Sequence, residues 1–339
     1  MRTSPAHCKL GVQRSDAGRW PWCSLQAVRL RDVGEFGLID RIDRAASRLP
    51  TGRGVVLGIG DDAAVLRPRP GEDVVVTTDA LVENVHFRWD VASPRVIGRR
   101  AMVASLSDLA AMGSRPLGSV VALVAPPSLE MRVIDGLVAG ILREARAHSC
   151  PLVGGNVSRG RHTSLTTTAL GACRRGSELR RDGARVGDRI LVTGTLGGAA
   201  LELARAQRGL GEIRRVATPR LRAGQLLARL PGVGACIDVS DGLEADLGQI
   251  LSPLGLGAAL EPGALPLPRG FRPACRRLGL DPVRLAMRGG EDYELLFTLR
   301  PDSQPLRSLS RRLGVRVSEL GRVVSAGSGE PSPRGWKHF

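Results

Sequence analysis

Apolar residues in the first half of this chain recur in short runs and in helical spacings that alternate along the sequence. Ser93 and Pro94 form a good N-cap and first-turn pair for a helix whose apolar positions continue to Gly113. The β-branched run 74–78 is typical of a strand and ends on Asp79. We predict a helix that ends near residue 47, helices at 93–113 and 129–148, and strands at 74–78, 117–125, 150–153 and 165–173. This alternation is typical of a layered α/β or α+β domain.

A polar, arginine-rich segment at 174–188 is the best candidate for a domain junction. After it the pattern predicts strands at 190–193, 236–239 and 293–299, and helices at 198–207, 219–230, 243–251, 271–278 and 306–313. We therefore divide the chain into an N-terminal domain at 33–175 and a C-terminal domain at 176–339. Residues 1–32 are expected to be a disordered extension or a start-site artefact, outside the fold.

The composition limits the classes of partner. The chain has 339 residues, enough for two domains with a real core, and no apolar run approaches the ~20 residues of a membrane span. Its formal net charge is +16, and arginine supplies nearly all of the positive charge because Lys9 and Lys337 are the only lysines. The arginines are spread along the chain and aromatic residues make up only 3% of it. We therefore expect neither a membrane nor a nucleic acid as partner.

The cysteines indicate the compartment. The six cysteines form no Cys-x-x-Cys pair and have no zinc-like spacing with the five histidines. Residues 1–32 lack the continuous apolar core that a signal peptide needs. Both features predict a reduced, cytoplasmic protein.

Acidic residues gather in four short strings beside glycine, serine and threonine. The strings are Gly58-Ile59-Gly60-Asp61-Asp62, Thr77-Thr78-Asp79, Ser107-Asp108 and Asp238-Val239-Ser240-Asp241-Gly242. Hard cations such as Mg²⁺ take carboxylate, hydroxyl and water oxygens and commonly bridge to substrate phosphates. Each string on its own also fits ordinary turn and cap chemistry. Four of them in a basic chain favour a divalent metal and a polyphosphate.

The usual lysine-based phosphate sites are missing. The sequence contains no Gly-x-x-x-x-Gly-Lys-[Ser/Thr] string, no His-Arg-Asp loop and no Asp-Phe-Gly string. A phosphoryl-transfer enzyme of this composition would neutralise phosphate charge with metal ions and arginine instead.

Longer strings around these acids resemble thiamine-monophosphate kinase, within the AIR synthetase-like superfamily. They are Gly58-Ile59-Gly60-Asp61-Asp62-Ala63, Thr77-Thr78-Asp79-Ala80-Leu81-Val82 with His86-Phe87, Leu106-Ser107-Asp108-Leu109-Ala110-Ala111-Met112-Gly113, Ile237-Asp238-Val239-Ser240-Asp241-Gly242-Leu243 and Gly289-Gly290-Glu291-Asp292-Tyr293-Glu294-Leu295. The likeness runs in order from about Gly34 to the C-terminal aromatic-x-His-Phe string.

The resemblance implies ATP-dependent phosphorylation of thiamine monophosphate to thiamine diphosphate by direct in-line transfer. It also implies an α+β, two-domain AIR synthetase-like fold and a homodimer that pairs its N-terminal sheets. The Mg²⁺ ligands it implies are Asp62, Thr77, Thr78, Asp79, Asp108, Asp238 and Asp241, of which we take Asp62, Asp79, Asp108 and Asp241 as catalytic. ATP would contact Gly155, Asn156, Arg181 and Ser240, and the substrate would contact His86, Glu291 and Trp336.

One position departs from the family pattern. The string Gly154-Gly155-Asn156 matches a segment that usually reads Gly-Gly-Asp, in which the aspartate binds Mg²⁺. Asn156 supplies a neutral carbonyl oxygen, so we expect a loosened or lost metal position there.

Simpler roles stay open for several of these residues. Thr77 and Thr78 suit a strand, His86 a turn, and Trp336 a C-terminal staple on the core. The pair Arg180-Arg181 leaves open which arginine meets ATP, and Asp61 fits a cap. For the whole chain, the alternatives are another AIR synthetase-like activity with a phosphorylated intermediate, or a non-catalytic nucleotide-binding or nucleic-acid-binding protein.

Overall fold

The computed structural model describes residues 28–60 and 62–326. The first half contains three helices and six strands. They are α1 (Leu30–Ala46), β1 (Val55–Leu57), β2 (Val65–Leu66), β3 (Glu72–Val82), α2 (Pro94–Ala111), β4 (Arg115–Ala125), α3 (Met131–Ala147), β5 (Leu152–Arg159) and β6 (Ser164–Arg174). Strands β1 and β2 form a small antiparallel pair, and α1 is kinked at Gly34.

The larger N-terminal sheet has the order β3-β6-β4-β5. β3 pairs with β6 and β6 with β4 in antiparallel fashion, whereas β4 and β5 are parallel. Side chains alternate across this sheet, as they must in any strand. Leu81, Leu165 and Leu123 are buried on the face toward α2, while Val74 and Val76 lie on the other face with 51% and 61% of their surface exposed. One face is therefore core and the other is open in a single copy of the chain.

The second half forms a five-stranded, fully antiparallel sheet with the order β8-β10-β7-β11-β9. Its elements are β7 (Arg189–Thr193), α4 (Gly198–Gln207), α5 (Leu221–Leu227), β8 (Val233–Asp238), α6 (Leu243–Leu251), β9 (Leu256–Leu260), α7 (Phe271–Arg277), α8 (Pro282–Arg288), β10 (Leu295–Leu299), α9 (Leu306–Leu313) and β11 (Val317–Ser325). Helix α6 packs its apolar residues Leu243, Leu247 and Ile250 into the core of this half.

Helix α2 lies between the two halves and is buried along most of its length. It starts where the sequence predicts, with Ser93 Oγ accepting from Val96 N at 3.4 Å. A Cβ atom built on Gly98 of α2 would lie 2.0 Å from the carbonyl oxygen of Leu137 in α3. A Cβ atom built on Gly224 of α5 would lie 1.9 Å from the carbonyl oxygen of Ala110 in α2. Only glycine allows backbones to approach so closely, so both neighbouring helices sit directly against α2.

One hydrophobic core runs through both halves because α2 joins them. Leu106 and Leu109 of α2 belong to the same buried cluster as Leu165 of the N-terminal sheet and Phe297 of the C-terminal sheet. The apolar residues of α2 therefore pack into this core, while its polar residues lie on another part of its surface.

Most predicted elements are confirmed, and the differences have local causes. Strand β3 continues past Asp79 to Val82 because all eleven of its residues pair with β6. β5 likewise continues to Arg159, pairing with β4. The sequence analysis missed β1, β2, β9, α8 and β11. Strands β1 and β2 and helix α8 are short, β9 is rich in glycine and alanine, and β11 contains several polar residues.

The chain boundaries differ slightly from the predicted ones. Helix α1 begins at Leu30, and Arg29 bridges to Glu130, so folded structure starts before residue 33. The rest of the predicted extension lies outside the described residues. The division at 175–176 stays a prediction. Within the described part of the chain, no helix combines the length and apolarity needed to cross a membrane.

Candidate active site

One arc of α2 faces the cleft between the two sheets. At about 100° per residue, Ser107, Arg100, Asp108 and Ser105 fall in that order within an arc of roughly 160°. At one end of the arc, Ser107 contacts Asp238 of the C-terminal half. At the other end, Ser105 contacts Asp79 of β3. A single helix therefore positions polar groups toward both domains.

Asp79 and Asp108 form the N-terminal part of the site. Ser105 Oγ lies 2.8 Å from Asp79 Oδ2 and 3.0 Å from the Thr167 carbonyl oxygen, so its one hydroxyl hydrogen serves two acceptors. The Thr77 hydroxyl donates to Asp108 Oδ2. Burial raises the pKa of Asp79, and burial together with repulsion from Asp79 raises the pKa of Asp108 to about 6.

Asp238 brings the C-terminal half to the same place. It ends β8, and Ser107 Oγ donates to its Oδ2 at 2.7 Å. Burial and the nearby charge of Asp108 raise the pKa of Asp238 to about 6. Because Asp79, Asp108 and Asp238 repel one another across the domain junction, the cleft holds excess negative charge.

Arg181 is a cation beside this cluster. Its charge lowers the pKa of both Asp108 and Asp238, against the larger effect of burial. The neighbouring Arg180 instead donates to Asp182, with Nη2 2.7 Å from Oδ2. The structure thus places Arg181, and not Arg180, near the acids.

Asp246 is a site residue that sequence reasoning missed. It lies in the first turn of α6, and its Oδ2 accepts from the backbone N–H groups of Ser240 and Asp241 at 3.0 and 3.1 Å. Burial and the charges of Asp238 and Asp241 raise its pKa to about 7. A third aspartate, five residues after Asp241, is the signal that could have found it. Its side chain shapes the loop that carries Ser240 and Asp241.

His86 and Glu291 meet around Arg100. His86 follows β3, and its Nδ1 accepts from Val82 N at 3.0 Å. Glu291 lies in the segment before β10, with its backbone N–H donating to the Ser240 carbonyl oxygen at 2.8 Å. Arg100, which the sequence analysis did not select, donates to both Glu291 carboxylate oxygens and to the His86 carbonyl oxygen.

Other predicted residues lie apart from the cluster in one copy of the chain. Thr78 Oγ1 is 3.0 Å from Thr168 Oγ1, on the open face of the sheet. Gly155 and Asn156 lie on β5, three strand spacings or about 14 Å from β3, and Asn156 Nδ2 donates to Ser158 Oγ at 3.0 Å. Asp62 is exposed between β1 and β2. Asp61 and Trp336 lie outside the described residues.

The carboxylates of Asp79, Asp108 and Asp238 suit a Mg²⁺ ion that is bound by both the protein and a phosphate group. Among the described residues, no three His, Cys, Asp or Glu side chains come together to enclose an ion. Mg²⁺ does not require such a cage, since it is commonly bound by one or two carboxylates, several waters and substrate phosphates. The carboxylates at the cleft repel one another, and a divalent cation would relieve that repulsion.

Models of known protein families match the two halves of the chain separately. Models of the AIR synthase related proteins match residues 60–173 with their N-terminal domain and residues 185–332 with their C-terminal domain. A thiamine-monophosphate kinase of Aquifex aeolicus is 32% identical over 92% of this chain and 100% of its own length.

Solved structures give the same result. The crystal structure of thiamine-monophosphate kinase from Stenotrophomonas maltophilia K279a has a TM-score of 0.75 at 38% identity, covering 87% of this chain and 95% of that one. A structure described as AaThiL complexed with AMPPCP and TMP has a TM-score of 0.67 at 30% identity, covering 93% and 100%.

The two family-model matches, which together cover most of the chain, show that this is a protein of the AIR synthase related class. Within that class, the chain belongs to the thiamine-monophosphate kinase family. The predicted family and the predicted two-domain α+β fold are confirmed.

The raised pKa values predict how stability depends on pH without metal. Asp108 and Asp238 titrate at about 6 and Asp246 at about 7 in the folded protein, against an ordinary 3.8. The folded state therefore binds more protons than the unfolded state between these values, so stability falls as pH rises through this window. In the presence of a metal chelator, the midpoint of thermal unfolding should be lower at pH 8 than at pH 5. The Asp108→Asn substitution should reduce this difference between the two pH values. Equal pH dependence in the variant and the wild type would contradict the assignment.

Proposed function

We propose that this chain transfers the γ-phosphoryl group of ATP to thiamine monophosphate, forming thiamine diphosphate and ADP in thiamine diphosphate biosynthesis. The observation that carries the proposal is the acidic cluster between the domains, next to the pair of His86 and Glu291. One region would hold the nucleotide phosphates, and the adjoining region would hold the acceptor.

The phosphate region uses carboxylates where other kinases use lysine. Asp79, Asp108 and Asp238 would hold Mg²⁺ ions, with Thr77 and Asp241 as further ligands. Asp62 and Thr78, which the resemblance also implies as ligands, lie apart from this cluster in one copy of the chain. Mg²⁺ bound there would neutralise the charge of the phosphates. Arg181, already beside Asp108 and Asp238, would offset charge on the transferred group. Ser240 would contact ATP from the loop that Asp246 orders.

The acceptor region suits a molecule with a cationic ring and a terminal phosphate. Glu291 would face the thiazolium cation, Trp336 would offer it an aromatic face, and His86 would contact the substrate. A phosphate monoester has a second pKa near 6 and is mostly ionised at neutral pH. Its oxygen can therefore attack the γ-phosphorus without a general base. The new P–O bond forms as the bond to the β–γ bridging oxygen breaks, and that oxygen leaves on ADP.

The cell compartment and the remaining partners form part of the same proposal. Within the described part of the chain, Cys150, Cys173, Cys236 and Cys275 are all free thiols. Free, buried thiols suit a reduced cytoplasm. The spread of arginines along the chain supports a role without nucleic acid.

The activity test uses purified protein with ATP, Mg²⁺ and thiamine monophosphate. Thiamine diphosphate should accumulate, and Asp108→Asn should abolish turnover because it removes charge from the centre of the cluster. The variant should keep its fold, measured by circular dichroism and thermal unfolding. No product above a no-enzyme control would overturn the proposal, and a near-normal rate in Asp108→Asn would overturn the metal assignment.

We further propose a homodimer formed by the open face of the N-terminal sheet. Val74, Val76, Thr78 and Thr168 give this face an uncharged, β-branched surface, whereas a solvent-facing sheet surface is normally polar. Pairing of two copies would cover it. If β5 of one copy then lies beside β3 of the other, Gly155 and Asn156 approach the partner's acidic cluster, which they do not reach in their own chain.

The dimer test compares two exposed valines. Val76→Glu should shift the protein to a monomer in light scattering and lower its activity, because it places a charge on the paired face. Val186→Glu is the matched control, since Val186 is 58% exposed in the C-terminal half. A monomeric wild type, or a Val76→Glu variant that stays dimeric, would contradict the proposed interface.

A further inference from the structure

Arg100 is a buried cation that links the two domains beside the proposed acceptor region. It lies on α2, and only 9% of its surface is exposed. Its Nη2 is 2.7 Å from Glu291 Oε2 and also contacts Oε1 of the same carboxylate. The same nitrogen lies 3.1 Å from the His86 carbonyl oxygen. One guanidinium therefore contacts both described residues that are predicted to bind the acceptor.

The backbone of Glu291 is held from the other side. Its φ is +62°, a left-handed conformation that a non-glycine residue adopts only under constraint. Its N–H donates to the Ser240 carbonyl oxygen, and Tyr293 N donates to that of Val239, both at 2.8 Å. A Cβ on Gly290 would lie 2.2 Å from the Ser240 carbonyl oxygen, so this segment fits closely against the loop. The main chain of Glu291 is fixed by the C-terminal domain and its carboxylate by α2.

The Glu291 carboxylate remains open to a ligand. Its side chain is 41% exposed, whereas that of Arg100 is 10% exposed. The guanidinium thus lies beneath the carboxylate and leaves the outer side of Glu291 facing the cleft. A buried arginine in this arrangement fixes the rotamer of an acid without blocking access to it.

We propose that Arg100 is a positioning residue for acceptor binding: it orients the Glu291 carboxylate toward the substrate cation and ties it to the turn that carries His86. This inference rests on the proposed kinase function. Arg100 acts through Glu291 and does not itself contact the nucleotide or its metal ions.

The geometry also predicts which substitution rescues the role. All three contacts come from the single atom Nη2, which has only two hydrogens. A lysine ammonium keeps the charge and carries three donors on one nitrogen, but its side chain is one bond shorter. Arg100→Lys should therefore keep part of these contacts, whereas Arg100→Met keeps none. A site that needed the planar fork of arginine would not tolerate lysine.

Steady-state kinetics of the full-length protein test the inference. Arg100→Met should raise KM for thiamine monophosphate about tenfold or more and leave KM for ATP within about twofold. Arg100→Lys should raise KM for thiamine monophosphate less than Arg100→Met does. Arg99→Met is the matched control, because Arg99 is the preceding residue of α2 and forms an ion pair with buried Glu144 at 2.5 Å, away from the site. It should affect the thermal midpoint but not KM for thiamine monophosphate.

A double-mutant cycle with Glu291→Gln separates positioning from direct binding. If Arg100 acts through Glu291, Arg100→Met should change KM less than about twofold in the Glu291→Gln background. The inference would be overturned if Arg100→Met raised KM as much in the Glu291→Gln background as in the wild type. It would also be overturned if Arg99→Met raised KM equally, or if Arg100→Met left KM unchanged. None of these results would affect the proposed kinase function. If Arg100→Met does not fold, Arg100→Gln takes its place in the cycle. A wild type without activity would overturn the proposed function and this inference with it.

Discussion

Burial of α2 between two sheets is the constraint on which the rest of this molecule depends. Its glycine-mediated approach to α3 and α5 leaves little freedom for the helix to slide or turn. One arc of the helix is therefore presented to the cleft at a fixed angle. Ser105 and Ser107 on that arc hold Asp79 and Asp238, which come from different domains, and Asp108 lies between them. The geometry of the site is thus determined by the packing of one helix.

The electrostatics of the cleft follow from the same packing. Burial removes water from Asp108 and Asp238, and repulsion from Asp79 opposes ionisation of Asp108 as repulsion from Asp108 opposes ionisation of Asp238. Such an arrangement costs stability in the absence of a cation. The one positive charge of Arg181 is too small to neutralise three carboxylates, which suits a site that receives its balancing charge with the nucleotide. Glu291, in contrast, has its own counter-ion in Arg100 and so belongs electrostatically to a separate part of the cleft.

The sequence predicted most helices and strands and the acids at the centre, because caps, apolar spacing and acidic strings are local features. Contacts between distant segments could not be predicted in this way. Arg100 and Glu291 are 191 residues apart, so nothing local indicated their pairing. Strand alternation separates Thr78 from its neighbours Thr77 and Asp79, which a string of adjacent letters does not convey. Strand order placed Asn156 at the far edge of the sheet, and order is a property of the whole domain.

The central claim is that the acids gathered around α2 bind divalent metal together with nucleotide phosphates. Anomalous diffraction from crystals grown with Mn²⁺ and a non-hydrolysable ATP analogue tests it most directly. The account predicts manganese peaks at coordination distance from carboxylate oxygens of Asp79, Asp108 and Asp238, each shared with a phosphate oxygen. Manganese bound elsewhere, or nucleotide bound with these carboxylates free of metal, would contradict it.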